Sequence, residues 1–252
     1  MKLTLLAALC VGASVLPVQA AQTTPAIQTT PVIVELFTSE GCSSCPPADA
    51  LLSRYIKSSP VSGVEVIALG EHVEYWNRGG WADPFSSATF TSRQSDYSRA
   101  FHLDTVFTPQ AVIDGEISVN GSDDDATRAA IRRASKLPKA SVSVTQAGVG
   151  RLSVQISHLP SSALSDHTAV FLAVTEDSLS SHVAGGENAG RHLVHSAVVR
   201  SLTPIGTIIG GAFAASPTVT LKSGWRRGQL HAVVFAQEQG SRRIVGAAEI
   251  SL

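Results

Sequence analysis

The chain has 252 residues and sets 19 Lys and Arg against 20 Asp and Glu, for a formal net charge of −1. With no long run of one sign, it lacks the basic patch that nucleic-acid binders carry. Beyond its first residues, no stretch reaches the roughly 18 consecutive apolar residues that a membrane-spanning helix needs.

Residues 1–20 read as an export signal. Met1 and Lys2 form a short charged start, Leu3 to Val11 an apolar run, and Val18-Gln19-Ala20 a small-residue cleavage site. The expected location is periplasmic or secreted, with no membrane attachment once the signal is cleaved. Residues 21–30, rich in Thr, Gln and Pro, read as a flexible leader. Val32 to Phe37 is a β-branched and aromatic run, hence a buried strand. Thr38 to Ser44 is a loop. Pro46-Pro47 opens a helix that continues to Ile56, because proline suits a first turn whose amide donors have no partner. Val64 to Leu69 is a second strand. The order strand, loop, helix, strand is a βαβ unit and implies parallel strands.

His72 to Phe90 holds Trp76 and Trp81, two of the chain's three tryptophans. It reads as an aromatic insertion, a loop with short helical turns. A helix follows over Thr91 to Phe101. Arg93, Gln94 and Tyr97 share one side of it at spacings of three and four and are expected to tie the insertion to the core. Val106 to Ile113 is extended, Asp114-Gly115 marks a hairpin turn into Glu116 to Val119, and Ala126 to Lys136 forms a closing helix. From Ala140 the texture changes. Ser141–Thr145, Leu152–Ile156, Ala169–Val174, Thr218–Leu221, Leu230–Gln237 and Ile244–Ile250 are strand candidates separated by turn residues. That spacing fits an antiparallel β domain such as a sandwich. The expected organisation is one domain over 31–138, with the insertion near 72–90, a boundary near Leu137 to Ala140, and a β-rich domain over 140–252. Gly185 to His192 reads as a glycine-rich surface loop folding over the interface between the two.

Cys10 lies in the signal, so the processed chain holds Cys42 and Cys45 alone. An exported protein meets an oxidising compartment, where disulfides persist. A pair this close encloses few residues and contributes little chain-entropy stabilisation; redox chemistry or metal binding accounts for it better. Its place at a strand end and helix start has a physical logic. A helix N-terminus presents free amide donors and a positive dipole end, which stabilise a thiolate and lower its pKa from about 8.5. Cys42, the more exposed sulfur, is the expected nucleophile, and Cys45 the resolving thiol. A Cys-x-x-Cys within a βαβ unit is a thioredoxin-like arrangement. The fold class expected is therefore α/β: a thioredoxin-like domain followed by a mostly antiparallel β domain. Glu35 is out of place in an apolar strand. Either it is buried beneath the disulfide, with a raised pKa, and exchanges a proton with Cys45, or it caps the strand or pairs with a cation. Glu40, on the loop, reads as solvated.

The run Val34-Glu35-Leu36-Phe37-Thr38-Ser39-Glu40-Gly41-Cys42-Ser43-Ser44-Cys45-Pro46-Pro47-Ala48-Asp49 resembles the DUF1223 family, a group of mostly exported bacterial proteins. His72 to Asn77, Gly80 to Phe85, Arg93-Gln94, Tyr97, Phe107 to Gln110, Gly186 to Arg191 and Val198 to Arg200 look like the same family. The resemblance implies a thioredoxin-like fold and an exported location but names no substrate. In the wider thioredoxin-like group a cis-proline faces the cysteine pair, and Thr108-Pro109 is the matching position here. It would let the Thr108 backbone offer hydrogen bonds to a docked peptide. Two departures from thioredoxin itself stand out: Gly41 precedes Cys42 where a tryptophan would be, and Ser43-Ser44 replaces Gly-Pro.

These readings converge on an exported thiol–disulfide oxidoreductase. Cys42, Cys45, Glu35, Thr108 and Pro109 form its site. It needs no organic cofactor, and its partners are protein thiols or disulfides with a partner reductase or oxidase. Two alternatives stay open: a copper-binding protein using both thiolates and a histidine such as His72, since soft thiolates suit copper(I), and a non-catalytic binding module with an inert disulfide.

Overall fold

The computed structural model describes residues 29–164 and 167–252. The expected export signal, and the leader up to residue 28, lie outside the described residues. β1 (Thr30–Thr38) and β2 (Val64–His72) run parallel, with α1 (Pro46–Lys57) between them in the chain. Period-two alternation along β1 sorts its side chains to two faces. Val32, Val34 and Leu36 pack on Leu51, Leu52 and Tyr55 of α1. Ile33 and Phe37 face the other way, toward Phe90 and Tyr97 of α2 (Ala88–Ala100). β3 (Gln110–Ile113) pairs antiparallel with β1, and β4 (Ile117–Asn120) with β3. α3 (Asp124–Ala134), capped by the Asp123 carboxylate on the Ala126 amide, covers the α1 face with Ala130, Ile131 and Ala134.

The remaining elements are β5 (Ser141–Gln146), β6 (Leu152–Ser157), a single turn α4 (Ser161–Leu164), β7 (Thr168–Glu176), β8 (Leu179–His182), β9 (His192–His195), β10 (Val198–Thr207), β11 (Phe213–Ala215), β12 (Leu230–Glu238) and β13 (Ile244–Ser251). The expected strand at Thr218–Leu221 is absent; Thr218 makes an isolated bridge to Arg151. The mostly antiparallel main sheet has eight strands in the order β13-β12-β7-β10-β2-β1-β3-β4. It therefore runs across the boundary expected near 137–140. The seam is β10 on β2, where Val198 pairs with Gly70. A Cβ on Gly70 would come within 3.2 Å of the Ser196 carbonyl oxygen, so the absent side chain is what permits this approach.

One apolar cluster continues across the seam. It takes Ile33, Ile67 and Leu69 from one half and Ala173, Val199, Val233 and Phe235 from the other. On the opposite face, the sheet β11-β6-β5 lays Val144, Leu152, Val154 and Ile156 on Val170, Leu172, Val174 and Val234, so a local sandwich does form. The main sheet curls until the β3–β4 turn meets the start of β13. The Asp114 carboxylate accepts from the Ile33 amide at 2.9 Å, its carbonyl accepts from the Ile244 amide at 2.7 Å, and Lys139 pairs with its side chain.

Candidate functional site

Cys42 and Cys45 are joined by a disulfide at the N-terminus of α1, with Cα atoms 5.4 Å apart. Cys45 is the N-cap, Pro46 and Pro47 occupy the first turn, and the Cys45 carbonyl accepts from the Ala48 and Asp49 amides. Proline at these positions costs no helical hydrogen bond and presets the backbone. Neither cysteine is exposed, at 0 % each, although Ser43 and Ser44 between them are open to solvent.

The cover comes from the second half of the chain. The Asn188 side-chain amide donates to the carbonyls of Glu40 and Cys42, both at 2.9 Å, and Glu187 accepts from the Ser43 amide at 3.0 Å. Gly185 and Gly186 lie against Gly79 and Gly80 at the end of a short 3-10 turn (Tyr75–Gly79). A Cβ on Gly185 would sit 2.3 Å from the Gly80 oxygen. The glycines of this loop thus serve close backbone approach. The aromatic insertion forms the adjoining wall. Trp76 packs on Gly41 and donates its indole N–H to the Thr108 hydroxyl at 2.8 Å, while Trp81 donates to Glu40 at 2.8 Å. The Thr108–Pro109 bond is cis, in agreement with the resemblance. Pro109 packs near Ala48 of α1 through Gly121.

Beside the cysteine loop and α1 lies a buried cluster of titratable side chains. His72 Nδ1 is 2.7 Å from Asp83, and His195 Nε2 is 3.0 Å from Glu40. The two imidazole rings meet edge-on at 4.7 Å. Two carboxylates thereby have an imidazole each. Asp49 is the third, 3.8 Å from His195 Nδ1, a nitrogen that makes no hydrogen bond. Burial pushes Asp49 up to about 7 against the pull of His195. Asp83 is held below its ordinary range despite burial, because His72 and two backbone amides stabilise its charge. Asp49 stands four residues after Cys45, hence one turn along the same helix side. The expectation that Glu40 is solvated is corrected: it is fully buried, because Trp81 and His195 supply its partners.

Glu35 takes the cation-paired one of its expected placements. Alternation along β1 sends it to the α2 face, away from α1. There its carboxylate accepts from the Arg93 side chain and the Tyr97 hydroxyl. Arg93 also lies 3.5 Å from Glu71 and donates to Gln237 of β12 at 3.1 Å. Burial and the neighbouring Glu35 charge push Glu71 well above the usual carboxylate range. Glu35 is thus the cation-paired carboxylate. The pairing of Asp49 with His195 escaped sequence reading because α1 and β9 are brought together only by the fold; Asp49 as a carboxylate one turn after Cys45 was the available signal. His72 spends Nδ1 on Asp83. Among the described residues, no group of three or more His, Cys, Asp and Glu is arranged to hold a metal ion.

The DUF1223 family, described as proteins of unknown function, matches residues 33–237. The chain belongs to this family. An Agrobacterium tumefaciens protein solved by X-ray crystallography is similar at 26% identity with a TM-score of 0.68, over 87% of this chain and 93% of that one. A domain of an outer membrane lipoprotein from Porphyromonas gingivalis aligns at 12% identity and a TM-score of 0.28, over 46% of this chain and 89% of that one. No curated protein matches. Membership accounts for the recurrence of the cysteine loop, the insertion and the 186–191 loop as family-like stretches: in space they are one site. Among the described residues no helix is long and apolar enough to cross a membrane.

Proposed function

We propose that this DUF1223 protein is an exported thiol–disulfide oxidoreductase with a thioredoxin-like core. The observation that carries the reading is the Cys42–Cys45 disulfide at the start of α1, a helix whose first turn also holds a buried carboxylate, Asp49, with a pKa pushed up to about 7. Supporting the core is the strand order β2-β1-β3-β4, parallel then antiparallel, with α1 and α3 on one face and α2 on the other. Supporting export are residues 1–20, with their charged start, apolar run and small-residue cleavage site.

In the reducing direction, the Cys42 thiolate attacks one sulfur of a substrate disulfide. A mixed disulfide forms and the other substrate sulfur leaves as a thiolate, which takes a proton from solvent. Cys45 then loses its proton to Asp49 and attacks the Cys42 sulfur. The Cys42–Cys45 disulfide forms and the second substrate thiolate departs, protonated in turn. Two electrons pass to the substrate, and a partner reductase restores the dithiol. The oxidising direction is the reverse, with a partner oxidase. Thr108, held by Trp76, stands ready to position a substrate backbone.

A Cys45→Ser variant, reduced and mixed with extracts of the exported fraction, is expected to trap substrates as mixed disulfides on Cys42. The reduction potential of the pair should fall within about −120 to −270 mV, the span of known redox proteins. A potential below about −300 mV, with no trapped adduct, marks a structural disulfide and sinks the reading.

A further inference from the structure

The seam between β10 and β2 opens a second feature, with no sulfur in its lining. β10 meets β2 at Val198 and Gly70 and then diverges. The opening is a groove of about 430 Å³, within the roughly 300–1,000 Å³ of small-ligand sites. It lies between β10, the Pro84–Phe90 segment and Lys222–Trp225.

Arg200 lines this groove and arrives there by a local device. Against β7, Val199 pairs with Thr175 and Ser201 with Val174, so Arg200 is the extra residue of a β-bulge. Bulges re-aim a side chain. The Arg200 guanidinium sits between two rings, 5.5 Å from Phe85 and 5.7 Å from Trp225. That sandwich fixes its orientation and offsets in advance part of the rotamer entropy of binding. Its Nε lies 3.5 Å from Glu176, and Glu176 is also held by Arg226. The two terminal nitrogens of Arg200 hydrogen-bond to no described residue. Lys222 adds a second cation, with its Nζ 6.0 Å from the Trp225 ring. Among the described residues no carboxylate lines the groove, while the hydroxyls of Ser86, Ser87 and Ser201 do.

We propose that this groove binds a carboxylate carried on an apolar or aromatic body. The free edge of Arg200 is a planar pair of donors that fits one carboxylate in two parallel hydrogen bonds. Lys222 contributes charge, and Phe85, Phe90, Leu202 and Trp225 receive the body. The site is independent of the redox reading, although its wall residue Phe85 also touches the rings of His72 and His195 at 5.5 and 5.7 Å.

The test is NMR titration of the indole N–H resonances of the intact chain, with the Trp225 signal identified by its loss in Trp225→Phe. Benzoate is expected to move that signal saturably, and benzyl alcohol, of like size but neutral, to leave it. Arg200→Gln should weaken benzoate by about tenfold or more, the effect of losing a charge-assisted pair of hydrogen bonds. Should that variant fold poorly, the exposed Lys222→Glu reverses a charge without touching the core and should weaken benzoate by about fivefold. N-acetylphenylalanine against its amide separates a free acid from an internal peptide contact, with the acid alone expected to bind. Equal shifts with benzoate and benzyl alcohol, no shift at Trp225, or unchanged affinity in both charge variants overturns the proposal. None of these outcomes bears on the reduction potential of Cys42–Cys45.

Discussion

The Asn188 side-chain amide lies 2.9 Å from the carbonyl oxygen of Cys42, across 146 residues of sequence. A loop of the second half is thereby fastened to the backbone of Cys42. Thiol attack needs access to the sulfur, so this fastening is expected to slow reduction of the disulfide. Asn188→Ala removes two hydrogen bonds of the cover. Reduction by dithiothreitol is expected to quicken about tenfold, the factor that corresponds to roughly 1.4 kcal/mol of lost cover stability. Timed alkylation and mass measurement read the rate. An unchanged rate means that the loop does not govern access.

Asp49 makes stability depend on pH in a defined window. Its pKa rises from 3.8 to about 7 on folding, through burial. The folded state therefore holds this proton more tightly. Asp49's contribution is fully present below pH 3.8 and is lost as pH rises to about 7. Asp49→Asn stays neutral throughout. The variant should match the parent near pH 4 and gain on it up to pH 8, by at most about 4 kcal/mol. Urea unfolding at several pH values measures the difference; a constant offset would mean that Asp49 does not titrate in this window.

Arg93 neutralises Glu35 while touching β12 through Gln237. Removing it strands buried carboxylate charge, which costs about 3–5 kcal/mol. Arg93→Met is expected to lose that much in equilibrium unfolding. Glu35→Gln should be milder, because Tyr97 and Arg93 keep a polar partner. It should also leave the pH dependence of Cys42 alkylation in the reduced protein unchanged, since Glu35 faces α2. A shifted alkylation profile would return Glu35 to the cysteine site.

Gly115 sits at φ 66° in the turn that meets β13, and a Cβ there would lie 2.0 Å from the Arg242 carbonyl oxygen. Gly115→Ala meets both an unfavourable backbone region and a fixed backbone atom. A loss of about 2–4 kcal/mol in thermal or urea unfolding is expected. A neutral result would mean that the turn can withdraw from β13 at no cost.

Local pattern carried the first half of the fold. The β-branched run at Val32–Phe37, the proline pair after Cys45 and the Asp114-Gly115 turn each have a short-range cause, and β1, α1 and the β3–β4 hairpin form where those causes lie. β10 was not legible. Its sequence carries Pro204 and Gly206, which weaken a strand signal, and it is a strand because β7 offers it a ladder along its length, broken by two bulges. Missing β10 hid the seam and made the halves read as separate units.

The cysteine pair, its seat at a helix start and family membership could all be read along the chain, because they depend on residues adjacent in it. Which carboxylate shares the cysteine helix with a histidine partner, and what covers the disulfide, came from long-range packing. Strand alternation turned Glu35 to the far face, and helix phase together with β9 set Asp49 beside His195. A glycine at Gly70 let β10 close on β2 and bring Asn188 onto Cys42. Contacts across 146 residues leave no local pattern to read. They exist because burial and hydrogen bonding, summed over the whole sheet, outweigh the entropy of closing so long a loop.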